Sequence, residues 1–300
     1  MEVNLKATLV GHRNPIYTLE SSYDSRYLFT GGNDKGVVEW DLETFEFKRI
    51  LVPVPASIYA LHQIPNTKLL AVGLRSGEVF IVDIDSQKIL HRLKGCDGGG
   101  VFNIKTHLGQ NLLITSNEQG EVLFWTLKDF SLVNKLSLTD TTVRVIAMQQ
   151  GEELAAFGDK NGEIHLYNTE NWQLKTRRKI HNLSVTSMLF EGDTLFTGGR
   201  DAKMNRLETD RLETIQTIVP HMFTVYGIAK HPHAPFLVTV SRDKTTKIWD
   251  MKKLSLLRNI SRDRKYDAHL LSINACLWID YKNYIVSIAD DRLVKVWEVV

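Results

Sequence analysis

The 300-residue sequence predicts an all-β propeller, and three observations carry that reading. The first is a repeat. A turn signal, a short apolar run and a bulky residue recur at Trp40, Val82, Trp125, Tyr167, Leu207, Trp249 and Trp297. Their separations are 42, 43, 42, 40, 42 and 48 residues, so seven units fill the chain. The second is the character of each unit. Runs such as YLFTGG (27–32), LLITSN (112–117) and FLVTVS (236–241) are short, apolar and bounded by Gly, Asn or Asp. Such runs fit strands covered on both faces. The third is negative: no segment sustains a 3.6-residue period with helix caps. Short strands at even spacing point to a sandwich, a barrel or a propeller, and a fixed period ending in a bulky–acidic pair selects the propeller.

Residues 1–300 read as one domain, a length that large all-β folds often use whole. Hydrophobic residues make up 43% and charged residues 24%, as in a soluble globular protein. A net charge of +2 carries no strong pull toward nucleic acid or membrane. Cys96 and Cys276 lie far apart in sequence, which suits a reduced intracellular chain better than a disulfide scaffold. The start, MEVNLKATLVGH, lacks the apolar core of a signal peptide, and no stretch approaches 18 consecutive apolar residues. The expected compartment is the cytoplasm, with no membrane partner.

The units align in order. NDKGVVEWD (33–41), RDKTTKIWD (242–250) and DDRLVKVWE (290–298) are near copies. RSGEVFIVD (75–83), EQGEVLFWT (118–126), KNGEIHLYN (160–168) and RDAKMNRLE (200–208) are weaker ones. GH at 11–12 followed by WD at 40–41 resembles the WD40 repeat, as does PH at 220–221 followed by WD at 249–250. The resemblance covers essentially the whole chain. It implies a seven-bladed β-propeller of four-stranded antiparallel blades around a central channel. The last unit stops at Trp297-Glu298-Val299-Val300, where a blade's third strand would end. Val3–Leu9 resembles an outer strand, so the N-terminal strand is expected to complete the last blade and close the ring. Closure removes free edges that invite aggregation.

The same resemblance implies a buried chain of His, Ser or Thr, Asp and Trp in each complete blade. Spacing places it at His12, Thr30, Asp34 and Trp40 in blade 1. Blade 6 has His221, Thr239, Asp243 and Trp249, and blade 7 has His269, Ser287, Asp291 and Trp297. Blade 5 keeps His181, Thr197 and Asp201, but Leu207 replaces the Trp. Blade 2 has Val54, Val72, Ser76 and Val82, and blade 4 has Thr139, Phe157, Asn161 and Tyr167. Where His and Asp are both lost, the hydroxyl is lost too, because a half-satisfied buried network is worse than an apolar core. Blade 3 departs from this. It keeps Thr115 and Trp125, with Cys96 near the His slot and Gln119 at the Asp slot, and Gln119 or water is the expected substitute.

These groups could instead be catalytic or metal-binding. Four histidines spread over four blades cannot converge on one ion, however, so the expected role is structural. His231-Pro232-His233 has no third ligand nearby in sequence. GCDGGG (95–100) lacks the GK[ST] ending of a phosphate loop and reads as a flexible connection. No catalytic motif, cofactor, metal site or small-molecule substrate is expected. Glu39 and Arg206 fill a third-strand slot that is apolar in the other blades, so each must snorkel, find a partner or distort its strand.

Two slots per blade point to one rim, where WD40 family members commonly bind peptides or protein surfaces. One precedes the Asp slot: Asn33, Arg75, Glu118, Lys160, Arg200, Arg242 and Asp290. The other begins the first strand: Tyr17, Tyr59, Phe102, Arg144, Thr186, Tyr226 and Asn274. Aromatics together with Arg are the composition of an interaction hot spot. The loop SRDRKYDAH (261–269) adds Arg262, Arg264 and Lys265, which with Arg200 and Arg242 are expected to form a basic sector over blades 5 to 7. The alternative is a solvated loop. KTRRK (175–179) reads as edge protection on an outer strand. Three functions stay open. The first is a non-enzymatic scaffold binding a protein or peptide, acidic or phosphorylated in its sharper form. The second is a nucleic-acid-associated module on the same rim, against which the +2 charge counts. The third is a hydrolase with a metal in its channel, for which the strand starts offer no carboxylate or histidine.

Overall fold

The computed structural model describes every residue except Cys96 and Asp97. The described residues form seven four-stranded antiparallel sheets. Blade 1 runs from an inner strand, Ile16–Ser21, through Tyr27–Gly32 and Gly36–Asp41 to an outer strand, Glu46–Pro53. Blades 2 to 6 repeat that order. Blade 7 takes its outer strand from the N-terminus, because Val3–Val10 pairs with Leu293–Val299. Inner strands of successive blades touch, and Ile273–Ile279 of blade 7 meets Ile16–Ser21 of blade 1, so the ring is closed.

Burial explains the sequence pattern. Second and third strands are covered by the neighbouring blades, so both faces need apolar residues. Trp40, Phe29, Phe80, Phe124, Phe157, Phe196 and Trp297 are fully buried there. Outer strands such as Leu132–Ser137 and Gln173–Lys179 are mostly exposed and carry charge. The KTRRK run lies on the second of these, and Arg177 pairs with Glu163 of the adjacent strand. No described helix is long and apolar enough to cross a membrane.

Glu39 is fully buried and finds partners. Lys48 and Arg49 on the outer strand of its own blade both reach its carboxylate, and Arg49 also donates to the Ile84 carbonyl of blade 2 at 2.9 Å. Blade 1 also carries an extra register shift at Val37/Val38, beside this pair. Arg206 stays half-buried, with its guanidinium 5.8 Å from the Phe196 ring centre and one nitrogen donating to the Lys252 carbonyl. Its Nε has no partner.

Candidate functional site

In blade 1 the Trp40 indole donates to Thr30 Oγ1 at 2.7 Å, Thr30 lies 2.7 Å from His12 Nε2, and His12 Nδ1 lies 2.7 Å from Asp34. Blade 6 repeats this with Trp249, Thr239, His221 and Asp243 at 2.9, 2.8 and 3.0 Å. Only one proton assignment satisfies every group. The indole N–H enters the hydroxyl oxygen, the hydroxyl donates to Nε2, and Nδ1–H donates to the carboxylate. The imidazole is then neutral. Burial pushes His12 and His221 down, against the upward pull of Asp34 and Asp243. Burial would raise the aspartates. The hydrogen bonds from His221, Thr245 and the Met222 N–H overcome it and hold Asp243 well below the usual carboxylate range. Asp34, Asp201 and Asp291 are lowered in the same way. Each of the four also accepts a backbone N–H just after its histidine, from Arg13, Asn182, Met222 or Leu270. The four networks therefore pin loops to turns and stand in separate blades.

Blade 7 departs from the expected set. His269 bridges Ser287 and Asp291 at 3.0 Å each, but the buried Trp297 Nε1 has no partner. Trp40→Phe is therefore expected to lose about 1 kcal/mol more than Trp297→Phe, since only the first breaks a hydrogen bond. Denaturant melts of both variants check this, and equal losses would sink it.

Blades 3 and 4 hold their turns differently, and among the described residues Asn117 rather than the Gln119 side chain holds the blade 3 turn. Asn117 Oδ1 accepts the N–H groups of Gln119 and Glu121, while Trp125 still donates to Thr115. In blade 4, Asp159 accepts from Asn161 and Glu163, and the buried His165 lies 3.3 Å from it. An Asx residue two before the turn slot was the missed signal. Asp159, Glu163 and His165 could offer ligand atoms to a cation, but Arg177 already occupies Glu163. The residue after the Asp slot is left-handed in all seven blades. It is Gly77, Gly120 or Gly162 where the Asp is absent, and Lys35, Ala202, Lys244 or Arg292 where it is present. The anchored carboxylate holds a conformation that glycine otherwise supplies without strain.

His231 Nδ1 accepts the backbone N–H groups of His233 and Ala234, and His233 pairs with Asp280, so this pair caps a turn. Burial pushes the Cys276 thiol up to about 12, leaving it unreactive. The expectations for Cys96 lie outside the described residues.

The rim is built by a bulge. In every blade the inner strand's register skips one residue as it pairs with the second strand. The skipped residues are Tyr17, Tyr59, Phe102, Arg144, Thr186, Tyr226 and Asn274. A bulge leaves its extra residue unpaired and re-aims the side chain. All seven are half-buried, neither packed into a blade nor free in solvent. Tyr17 and Tyr59 lie 5.8 Å apart, Tyr59 and Phe102 5.4 Å, and the Arg144 guanidinium sits 5.1 Å from the Phe102 ring centre. Blades 1 to 4 thus share one continuous arc. The residue before each Asp slot donates its N–H to the carbonyl two before the bulged residue, as Arg75 does to Ser57 and Arg242 to Thr224. This brings Arg75, Lys160, Arg200 and Arg242, all exposed, to the same rim.

The loop 261–269 does not join them as one basic sector. Arg262 is held by Asp267 and the Ala268 carbonyl of its own loop. Arg264 lines a groove with Glu2, Val3 and the outer strand Leu256–Ile260. Lys265 is exposed, in a left-handed cap. The sequence reading also missed exposed apolar residues directly after three of the histidines: Leu183, Met222, Phe223, Leu270 and Leu271. The same positions hold Arg13 and Asn14, Pro55 and Ala56, and Asp140 and Thr141 in blades 1, 2 and 4, so the signal was present in the alignment of the units.

Residues 3–41, 212–250 and 261–298 match the family model described as WD domain, G-beta repeat. Kinesin-like protein KIF21A of Homo sapiens is 23% identical over 96% of this chain, which covers 18% of that protein. Actin-interacting protein 1 of Caenorhabditis elegans is 21% identical over 96% of this chain and is itself 47% covered. For autophagy-related protein 16 of Arabidopsis thaliana the values are 23%, 69% and 41%. The chain spans less than half the length of each of these relatives.

Proposed function

We propose that this chain, a WD40-repeat seven-bladed β-propeller, is a non-enzymatic scaffold that binds a protein partner on the rim of its seven bulged residues. The observation that carries this reading is the bulge itself. It holds aromatic and basic side chains half-exposed on one rim of a rigid ring, where pre-ordered anchors lose little entropy on binding. The His–Asp pairs that could suggest catalysis are each consumed by a hydroxyl and a turn of their own blade. Similarity to a relative named for interacting with actin supports a binding role, although this chain covers only part of that protein.

Tyr226→Ala with Arg242→Ala tests it. The doubly substituted chain should melt within about 2 °C of the parent and lose specific partners in affinity capture from native lysate. Lys128→Ala with Glu170→Ala, on turns at the opposite rim, should keep them. Partners retained by the first variant and lost by the second would move the site to the other rim.

A further inference from the structure

Between blades 4, 5 and 6 the rim holds a cavity of about 400 Å³ whose walls include Arg144, Lys160, Arg200, Tyr226 and Leu183. Among the described residues no carboxylate lines it. Lys160 and Arg200 are in no ion pair among the described residues. Arg144 is more confined, and its buried Nε has no hydrogen-bond partner. Burial pulls the Arg144 guanidinium below its ordinary value; Tyr226, Glu118 and Tyr59 oppose this, while Arg200 adds to it. Glu118 is an acid that acts on Arg144, yet it is not on the cavity wall. A confined guanidinium with an unpaired N–H, on the cavity wall beside two further cations, calls for an anion, and its planar fork fits the paired oxygens of a carboxylate or phosphate.

The apolar loops stand at the same place. Leu183 lines the cavity, and so does Thr224, which follows Met222 and Phe223. Met222 is 81% exposed and Phe223 53%, with the Arg242 guanidinium 5.9 Å from the Phe223 ring centre. A loop that offers bulky apolar side chains to water beside an anion cavity selects ligands carrying both chemistries.

We propose that the rim over blades 4 to 6 seats a segment of a partner protein that carries an anionic oxygen group beside bulky apolar side chains. The carboxylate or phosphate enters between Arg144, Lys160 and Arg200, and the apolar side chains cover Leu183, Met222 and Phe223. This rests on the scaffold reading above. A nucleic-acid backbone would fill the cavity with phosphate but leave those loops in water.

Isotope-labelled full chain titrated with sodium phosphate, then sodium acetate, at fixed ionic strength against chloride tests the cavity. The Arg144 Nε–H resonance should move and saturate. Lys160→Met or Arg200→Gln, both at exposed positions, should weaken the phosphate response by at least about tenfold without moving the melting midpoint. An array of short random peptides with serine, glutamate or phosphoserine fixed at the centre tests the loops. Retained peptides should carry a central anion near Leu, Met or Phe, and Met222→Ser with Phe223→Ser should release them. Preference between glutamate and phosphoserine identifies the source of the anion. No saturable shift at Arg144 with either anion, binding indifferent to the central residue, or tighter binding of oligouridylate than of any peptide overturns the proposal. If it falls while Tyr226→Ala with Arg242→Ala still strips partners from the capture, the scaffold reading survives. If that variant also keeps its partners, both fall.

Discussion

Removing residues 1–10 is expected to lower the melting midpoint by about 10 °C or more, because it strips blade 7 of its outer strand and cuts the tie that this strand makes from blade 7 to blade 1. Val3–Val10 is the outer strand of blade 7, paired from Val3 opposite Val299 to Val10 opposite Leu293 with one register shift between Leu5 and Ala7. Its Val3 and Leu9 are buried, and burying each such side chain contributes about 1.5–3 kcal/mol. Its loss also uncovers Val294, Val296 and Trp297, all fully buried in the closed ring. The buried Lys295 loses Thr8, one of its two partners, and keeps only Asp267. A total near 5 kcal/mol follows, and a domain of this size shifts by about 2 °C per kcal/mol. The exposed ladder of Leu293–Val299 is also a template for pairing with another chain. Scanning calorimetry and gel filtration of residues 11–300 beside the full chain read both effects. A truncated chain that melts like its parent and stays monodisperse overturns the closure argument.

The ring was legible in the sequence because every blade must solve one packing problem. Second and third strands are covered on both faces, so their apolar runs and the bulky residue at each period survive even where the Trp becomes Val82 or Leu207. The hydrogen-bond networks were legible at His12, His181, His221 and His269 because a buried chain has to be complete to be stable, and completeness leaves a fixed spacing. What spacing does not encode was missed. Trp297 stands at the same slot as its counterparts, yet its N–H finds no acceptor, and the slot alone does not tell the two apart. Asn117 and Asp159 replace the aspartate from another position, so a search by slot passes over them. Arg262 looked available because its partner, Asp267, lies in a loop whose fold no periodicity predicts. The apolar loops of blades 5 to 7 were missed because exposed Leu and Phe look like core residues until the strand ends are known.

Substituting the hub of one network is expected to show how much these networks stabilise the ring. Thr239 is fully buried and serves both Trp249 and His221. Thr239→Val keeps the shape but strands two polar groups at about 1–3 kcal/mol each, a loss of about 2–6 kcal/mol. Asp243→Ala strands one side of the histidine and frees the turn, costing about 1–3 kcal/mol. The turn supplies a sharper test. Lys244 holds φ 71° beside Asp243, whereas the blades without the aspartate place glycine there. Lys244→Gly should therefore return about 1 kcal/mol in the Asp243→Ala background and less in the parent, where the carboxylate already fixes the turn. Equal gains in both backgrounds would separate the aspartate from the turn. Acid should act in two stages. His12 and His221 are pushed down by burial, so the unfolded chain takes protons first and stability falls as pH drops below about 6.5. Asp34, Asp201, Asp243 and Asp291 are held low, so their contribution is complete above the unfolded value near 3.8 and is lost as pH falls below it toward their folded values. Asp243→Ala should flatten the second stage, because one depressed carboxylate is gone. Urea midpoints measured from pH 8 down to about pH 2 distinguish this from a uniform destabilisation, in which the parent and variant curves would run parallel throughout.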